Sequence, residues 1–207
     1  TSSKIVALLP GSRNSELERL AEPMLRTAAI IAAQLPGVQF LVPLATRETR
    51  IHFESALYRL GLTELPIRLL FGHAQDALGA ADVALVASGT ATLEAALLKC
   101  PMVITYKVGG FQHWLLRKLA YLPYVGLPNV LAGRFLVPEL LQDDATPEAL
   151  AAALLDLLGN ADRRAAMIEE FDRIHLSLRQ DTANKAASAV LRCVGRLPEA
   201  AGEPALV

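Results

Sequence analysis

Apolar runs and helical segments alternate along the first half of the chain. KIVALLP (4–10) is short, continuously apolar and carries branched side chains, which predicts a strand buried on both faces. SELERLAEPMLRTAAIIAAQLPG (15–37) reads as a helix, and Pro23 inside it is expected to kink it or divide it in two. VQFLVPLA (38–45) is a second strand, and RETRIHFESALYRLGL (47–62) is a second helix with Gly61 as its C-cap. PIRLLFG (66–72) is a third strand, AQDALGAAD (74–82) a short helix and VALVA (83–87) a fourth strand. ATLEAALLKC (91–100) is a helix again, and PMVITYK (101–107) a fifth strand.

Beyond residue 107 the alternation is expected to end. FQHWLLRKLAYL (111–122) reads as helical, and PYVGLPNVLAGRFLVP (123–138) as a loop rich in Gly and Pro. Residues 146–158, 161–178 and 182–195 read as helices, followed by a tail, 196–207, expected to fray. No internal repeat interrupts this order. The pattern βαβαβαβαβ predicts an α/β fold, a doubly wound parallel sheet with a helical carboxyl-terminal extension. Such sheets bind ligands beyond the carboxyl ends of their strands. Functional residues are therefore expected at 10–16, 44–47, 71–75, 87–94 and 105–111.

Composition narrows the partners more than the fold. The 207 residues are 53% hydrophobic and 20% charged, enough to bury a sizeable core. A net charge of -1 argues against nucleic acid. Cys100 and Cys193 match no metal spacing and fit a reducing, cytosolic compartment. His52, His73, His113 and His175 are scattered, so no metal is expected. No signal peptide is recognised, and no apolar run reaches the roughly 18 residues of a spanning helix. A soluble or surface-attached protein is expected.

Two loops carry the candidate chemistry. In LPGSRNSE (9–16), Gly11 permits a tight turn before a helix whose free N–H groups suit a phosphate. Arg13 adds a planar cationic fork for phosphate oxygens. The plainer alternative is that Ser12 or Ser15 only caps the helix and Arg13 is solvated. ASGTATLE (87–94) repeats the design, with Ser88, Gly89 and Thr90 at a helix start and Glu94 about one turn on. A carboxylate can accept from both vicinal hydroxyls of a ribose; the plainer alternative is that Glu94 only complements the helix dipole. The two loops on one sheet edge favour a nucleoside diphosphate. There is no G-x-G-x-x-G after the first strand and no G-x-x-x-x-G-K-[ST], so NAD-type and P-loop proteins fit poorly.

The loops, in this order and separation, resemble the carboxyl-terminal half of a GT-B glycosyltransferase. LLPGSRNSE, ASGTATLEAALLKCPMVITYK and YVGLPNVLAGRFLVPELLQDDATPEALAAAL together resemble the lipid-A-disaccharide synthase family, from about Ile5 to about Leu158. The third block is the most specific. The resemblance implies a Rossmann-like domain over 1–145 that holds a UDP-sugar, and helices over 146–207 that pack on it or on an amino-terminal domain. It implies transfer of a hexosyl group from UDP-2,3-diacylglucosamine to 2,3-diacylglucosamine 1-phosphate, with no cofactor or metal, at the cytoplasmic face of the Gram-negative inner membrane. The amino-terminal domain would hold the acceptor and the catalytic base, so this part alone is expected to bind donor without efficient turnover. By motif, Gly11, Ser12 and Arg13 would face the diphosphate, closed by Ser88, Gly89 and Thr90, with Glu94 on the ribose. Phe71, Gly72 and the residues up to Ala74 would read the uracil. Asn129, Arg134, Glu139 and Gln142 would lie near the donor sugar or cleft. Arg13 and Lys107 would stabilise charge on departing UDP.

The segment 106–124 concentrates aromatic residues and holds the sole Trp. An apolar side with Phe111 and Trp114, edged by Arg117 and Lys118, suits a membrane surface or acyl chain. The same helix could instead lie in the core, against the amino-terminal domain or against a second copy. Glu16, Glu18 and Glu22 read as a solvated helix face. The rival functions are another UDP-sugar GT-B enzyme, such as a glycan transferase or UDP-N-acetylglucosamine 2-epimerase, and a non-catalytic nucleotide-binding module.

Overall fold

The structure is a computed structural model and describes residues 3–107 and 123–194. The helix expected over 111–122, with Phe111, Trp114, Arg117 and Lys118, and the tail beyond Val194 lie outside these residues. The chain divides into two compact units, residues 1–175 and 176–207.

In the first unit, short apolar runs become strands and the segments between them become helices, much as the pattern predicts. The order is β1 (Ile5–Leu9), α1 (Asn14–Gln34), β2 (Gln39–Leu44), α2 (Arg47–Leu60), β3 (Ile67–Phe71), α3 (Ala74–Ala80), β4 (Val83–Ala87), α4 (Thr90–Leu97) and β5 (Met102–Tyr106). After the undescribed segment come α5 (Leu127–Ala132), β6 (Glu139–Leu141), a 3-10 turn (Gln142–Asp144), α6 (Pro147–Gly159) and α7 (Ala161–Leu178). The strands pair in the order β3-β2-β1-β4-β5-β6, and every pairing is parallel. Sequence order thus reverses between β1 and β4, which opens a crevice at their carboxyl ends. Leu9 pairs with Val86, so the loops after β1 and β4 leave the sheet side by side.

The core explains why these residues fold this way. Every residue of β4 is buried, as a central strand with helices on both faces requires. Helix α1 buries Leu17, Leu20, Met24, Leu25 and Ile31, each worth roughly 1.5–3 kcal/mol relative to exposure. That burial explains one departure from expectation. Pro23 does not divide the helix, which runs unbroken from Asn14 to Gln34. The loss of one backbone hydrogen bond is outweighed by the buried residues on either side. Thr27 Oγ1 also donates to the Pro23 carbonyl at 2.8 Å. Gly61 takes the left-handed conformation, φ 65°, and caps α2 as expected.

A second departure follows β5. The segment 123–138 is not simply a loop: it contains α5, and it leads into a sixth strand that extends the parallel sheet along β5. Helix α6 lies against α1, with Leu150, Leu154 and Leu157 fully buried. Lys99 ties α7 to the end of α4, donating to the Phe171 carbonyl and pairing with Asp172, both at 2.9 Å. The second unit contains α8 (Thr182–Cys193), begun by the Asp181 side chain and without buried residues.

Candidate functional site

The loops after β1, β2, β3 and β4 surround a cleft of about 540 Å³ at the reversal of strand order. Its lining includes Gly11, Ser12 and Arg13 from the first loop, and Pro43, Leu44 and Ala45 from the second. Gly72 and Ala74 come from the third, Ser88, Gly89 and Thr90 from the fourth, and Glu94 from α4. Tyr106, at the end of β5, closes one side.

Two glycines make the loops possible. Gly11 has φ +105°, and a Cβ there would run into the Glu16 carboxylate. Gly89 lies at φ 156° and ψ -162°, a region essentially reserved for glycine. Ser88 N donates to the Thr105 carbonyl at 2.9 Å, which fixes the start of this loop against β5. Thr92 Oγ1 donates to the Gly89 carbonyl at 2.7 Å and steadies the first turn of α4.

Among the described residues that line the cleft, Arg13 is the only cation, and Glu16 and Glu94 are the only anions. Arg13 is well exposed, with 76% of its side chain accessible. The Glu94 carboxylate is half-buried in the cleft wall and makes no hydrogen bond or ion pair among the described residues. An unpaired acceptor and a guanidinium thus share one cleft with the start of α4. Such a site can receive a ligand that is anionic at one end and carries hydroxyl donors at the other.

Other candidates fall elsewhere. Phe71 is 61% exposed and does not line the cleft, although Gly72 and Ala74 do. Between them His73 takes φ 55°, and its Nδ1 lies 2.7 Å from Asp76. Lys107, half-buried, directly follows Tyr106 but is not in the cleft wall. Asn129 is fully buried and serves as a knot. Its Nδ2 donates to the Val137 carbonyl and to Glu139, and its Oδ1 accepts from the N–H groups of Leu136 and Val137. Glu139 also accepts from the N–H groups of Val125 and Gly126 at 2.9 and 2.8 Å. Arg134 pairs with Glu170 of α7 at 3.0 Å. Gln142 begins the 3-10 turn with φ 52°. These four residues do not line the cleft. They belong to the segment that runs beside it, where Val125 O is 3.5 Å from Ser88 Oγ.

Glu16 and Tyr106 fall within the expected windows 10–16 and 105–111 but without an expected site role, and Glu16, expected on a solvated helix face, instead folds back onto the first loop. A glutamate three residues after a helix N-cap is the available signal for the former. Among the described residues, no group of three or more His, Cys, Asp or Glu could hold a metal ion. No helix there is long and apolar enough to cross a membrane.

Comparison with known proteins gives the context for this cleft. The family model described as lipid-A-disaccharide synthetase matches residues 1–193. The lipid-A-disaccharide synthase of Dechloromonas aromatica is 63% identical over 191 residues, 92% of this chain and 50% of that protein. That of Aromatoleum aromaticum is 58% identical over 199 residues, 96% of this chain and 51% of the relative. The chain therefore spans about half the length of the curated relatives it matches. Among solved structures, UDP-GlcNAc 2-epimerase from Neisseria meningitidis, bound to UDP-GlcNAc, aligns with a TM-score of 0.63 at 14% identity, covering 92% of this chain and 45% of that one. The calicheamicin glycosyltransferase CalG4 aligns at 0.59 and 18% identity, covering 95% and 43%. At such identities the likeness is one of fold, and it agrees with the Rossmann-like half of a GT-B protein expected from the sequence. The chain belongs to the lipid-A-disaccharide synthetase family.

Proposed function

We propose that this chain is the donor-binding half of a lipid-A-disaccharide synthase. In that reading it holds UDP-2,3-diacylglucosamine, whose hexosyl group passes to 2,3-diacylglucosamine 1-phosphate. The products are lipid A disaccharide 1-phosphate and UDP. The observation that carries the reading is the cleft at the strand-order reversal, with Arg13 and the start of α4 as the anionic seat and Glu94 as an unpaired acceptor. The relatives are named for synthesis of a lipid A disaccharide, and the substrates are those the family resemblance implies.

The roles follow from chemistry. Glu94 accepts from the two ribose hydroxyls, and Gly72 to Ala74 lie against the uracil. Ser88, Gly89 and Thr90 flank the diphosphate. As the bond from the sugar to UDP breaks, negative charge grows on the departing phosphate. Arg13 and the α4 dipole stabilise it, with Lys107 as the second cation. Asn129 and Glu139 act through the 123–139 segment, which they hold beside Ser88. An amino-terminal domain supplies the acceptor site and the base that takes the acceptor hydroxyl's proton.

Lipid substrates require work at a membrane surface, and the segment with Trp114 and Arg117 is assigned that contact. Co-sedimentation with anionic vesicles, wild type against Trp114→Ala plus Arg117→Ala, tests it. Binding that the double variant loses is expected, and no wild-type binding removes the claim. The nucleotide reading is tested by calorimetric titration with UDP, ADP and GDP. UDP is expected to bind, and Glu94→Gln to weaken it by about 10- to 100-fold, the loss of charge-assisted hydrogen bonds. Equal binding of all three nucleotides, or indifference to Glu94→Gln, would reject it.

A further inference from the structure

The first loop closes on a carboxylate from its own helix. Glu16 Oε2 accepts from the N–H groups of Ser12 at 2.9 Å and Arg13 at 3.2 Å. Its Oε1 takes one arm of the Arg13 guanidinium at 3.2 Å. The Glu16 side chain is only 14% exposed, and Gly11 leaves room for it only by lacking a Cβ. The positive end of α1 favours a negative charge at this place. The amides that a glycine-rich loop would offer a phosphate are therefore already engaged.

The second loop differs. Among the described residues no side chain caps α4 at Gly89, and Thr90 and Ala91 both line the cleft. A phosphate in the first loop would have to expel a carboxylate held by three donors, or else sit against its charge. In the second loop it meets no carboxylate on the amides.

We propose that Glu16 is a positioning residue: it keeps the Ser12 and Arg13 amides for itself and holds the Arg13 guanidinium at the cleft, so the donor phosphates meet that side chain and the α4 loop instead of the first loop's amides. The inference rests on the nucleotide reading of the cleft. It assigns the side chain of Arg13, and not the backbone beside it, to the phosphate.

Titration of wild type, Glu16→Ala and Glu16→Gln with UDP and with uridine tests it, with ligand-free unfolding midpoints recorded for all three. Glu16→Ala removes the acceptor of both amides and frees Arg13. It is expected to weaken UDP about 10-fold or more while leaving uridine unchanged. Glu16→Gln keeps an oxygen that can accept from the amides but turns an NH2 donor toward Arg13, and is expected to recover only part of the UDP binding that Glu16→Ala loses. Tighter UDP binding by Glu16→Ala would mean that the carboxylate occupies the phosphate seat, and would overturn the inference. So would unchanged UDP binding, an equal loss of uridine, or failure of Glu16→Gln to rescue. A folded wild type that binds neither UDP nor uridine would reject the nucleotide reading and this inference with it. The other adverse outcomes reject the inference alone.

Discussion

At the residue scale, the two cysteines show how burial decides chemistry that composition leaves open. Cys100 is 2% exposed, and its thiol is pushed up to about 12, first by burial and then by the nearby negative charge of Asp82. Cys193 is exposed. The thiolate is the nucleophile, so Cys100 is inert in the folded chain. Iodoacetamide at pH 8 is expected to label Cys193 and to reach Cys100 only after denaturation, as read by peptide mass; a native chain labelled at both sites would contradict this. Gly11 and Gly89 were legible as turn formers because small residues between a strand and a helix have few other uses. The closure of Glu16 was not, since it depends on a backbone angle of +105° at Gly11 that no sequence pattern states.

Element boundaries were legible where burial enforces one period, and failed where a single polar side chain does the folding. β4 and its neighbours are continuous apolar runs, and their limits were readable to within a residue or two. β6 has only three residues, Glu139–Leu141, all half-buried, and the chain leading into it is held by the four hydrogen bonds of Asn129, which no hydrophobic pattern states. Asn129 and Glu139, expected near the donor sugar or the cleft, use these hydrogen bonds to hold the chain between Val125 and Glu139. Asn129→Ala orphans the buried N–H of Val137, at about 1–3 kcal/mol, and the part-buried N–H of Leu136. Urea unfolding should show a lowered midpoint of that order. A variant as stable as wild type would refute the knot.

For the whole molecule, the βα alternation points to the doubly wound sheet and to the end of it where the cleft opens, because crossovers between parallel strands are almost always right-handed. One long-range pair then sets a pH dependence. Asp82, just before β4, accepts from Lys4 Nζ at 2.8 Å and from Ile5 N at 2.9 Å, joining the starts of two central strands. Partial burial pushes its carboxyl up, but the Lys4 and Ile5 hydrogen bonds and the Lys4 charge outweigh that and hold it below the ordinary 3.8. A depressed value stabilises the fold above the ordinary carboxylate range and loses that contribution as pH falls through the folded value. Wild type should therefore exceed Asp82→Asn in stability by a constant margin from pH 7 to 5, with the margin closing below about 4. A margin that grows on acidification would have the sign wrong.

The central claim is that the cleft at the strand-order reversal holds the nucleotide of a sugar donor. Thermal unfolding of the chain with and without UDP, beside Glu94→Ala and Arg13→Ala, tests it most directly. Ligand at about 100 times its dissociation constant stabilises the folded chain by ~2.7 kcal/mol. The account predicts an upward shift in wild type that shrinks in both variants. A folded wild type whose midpoint does not move with millimolar UDP would contradict it.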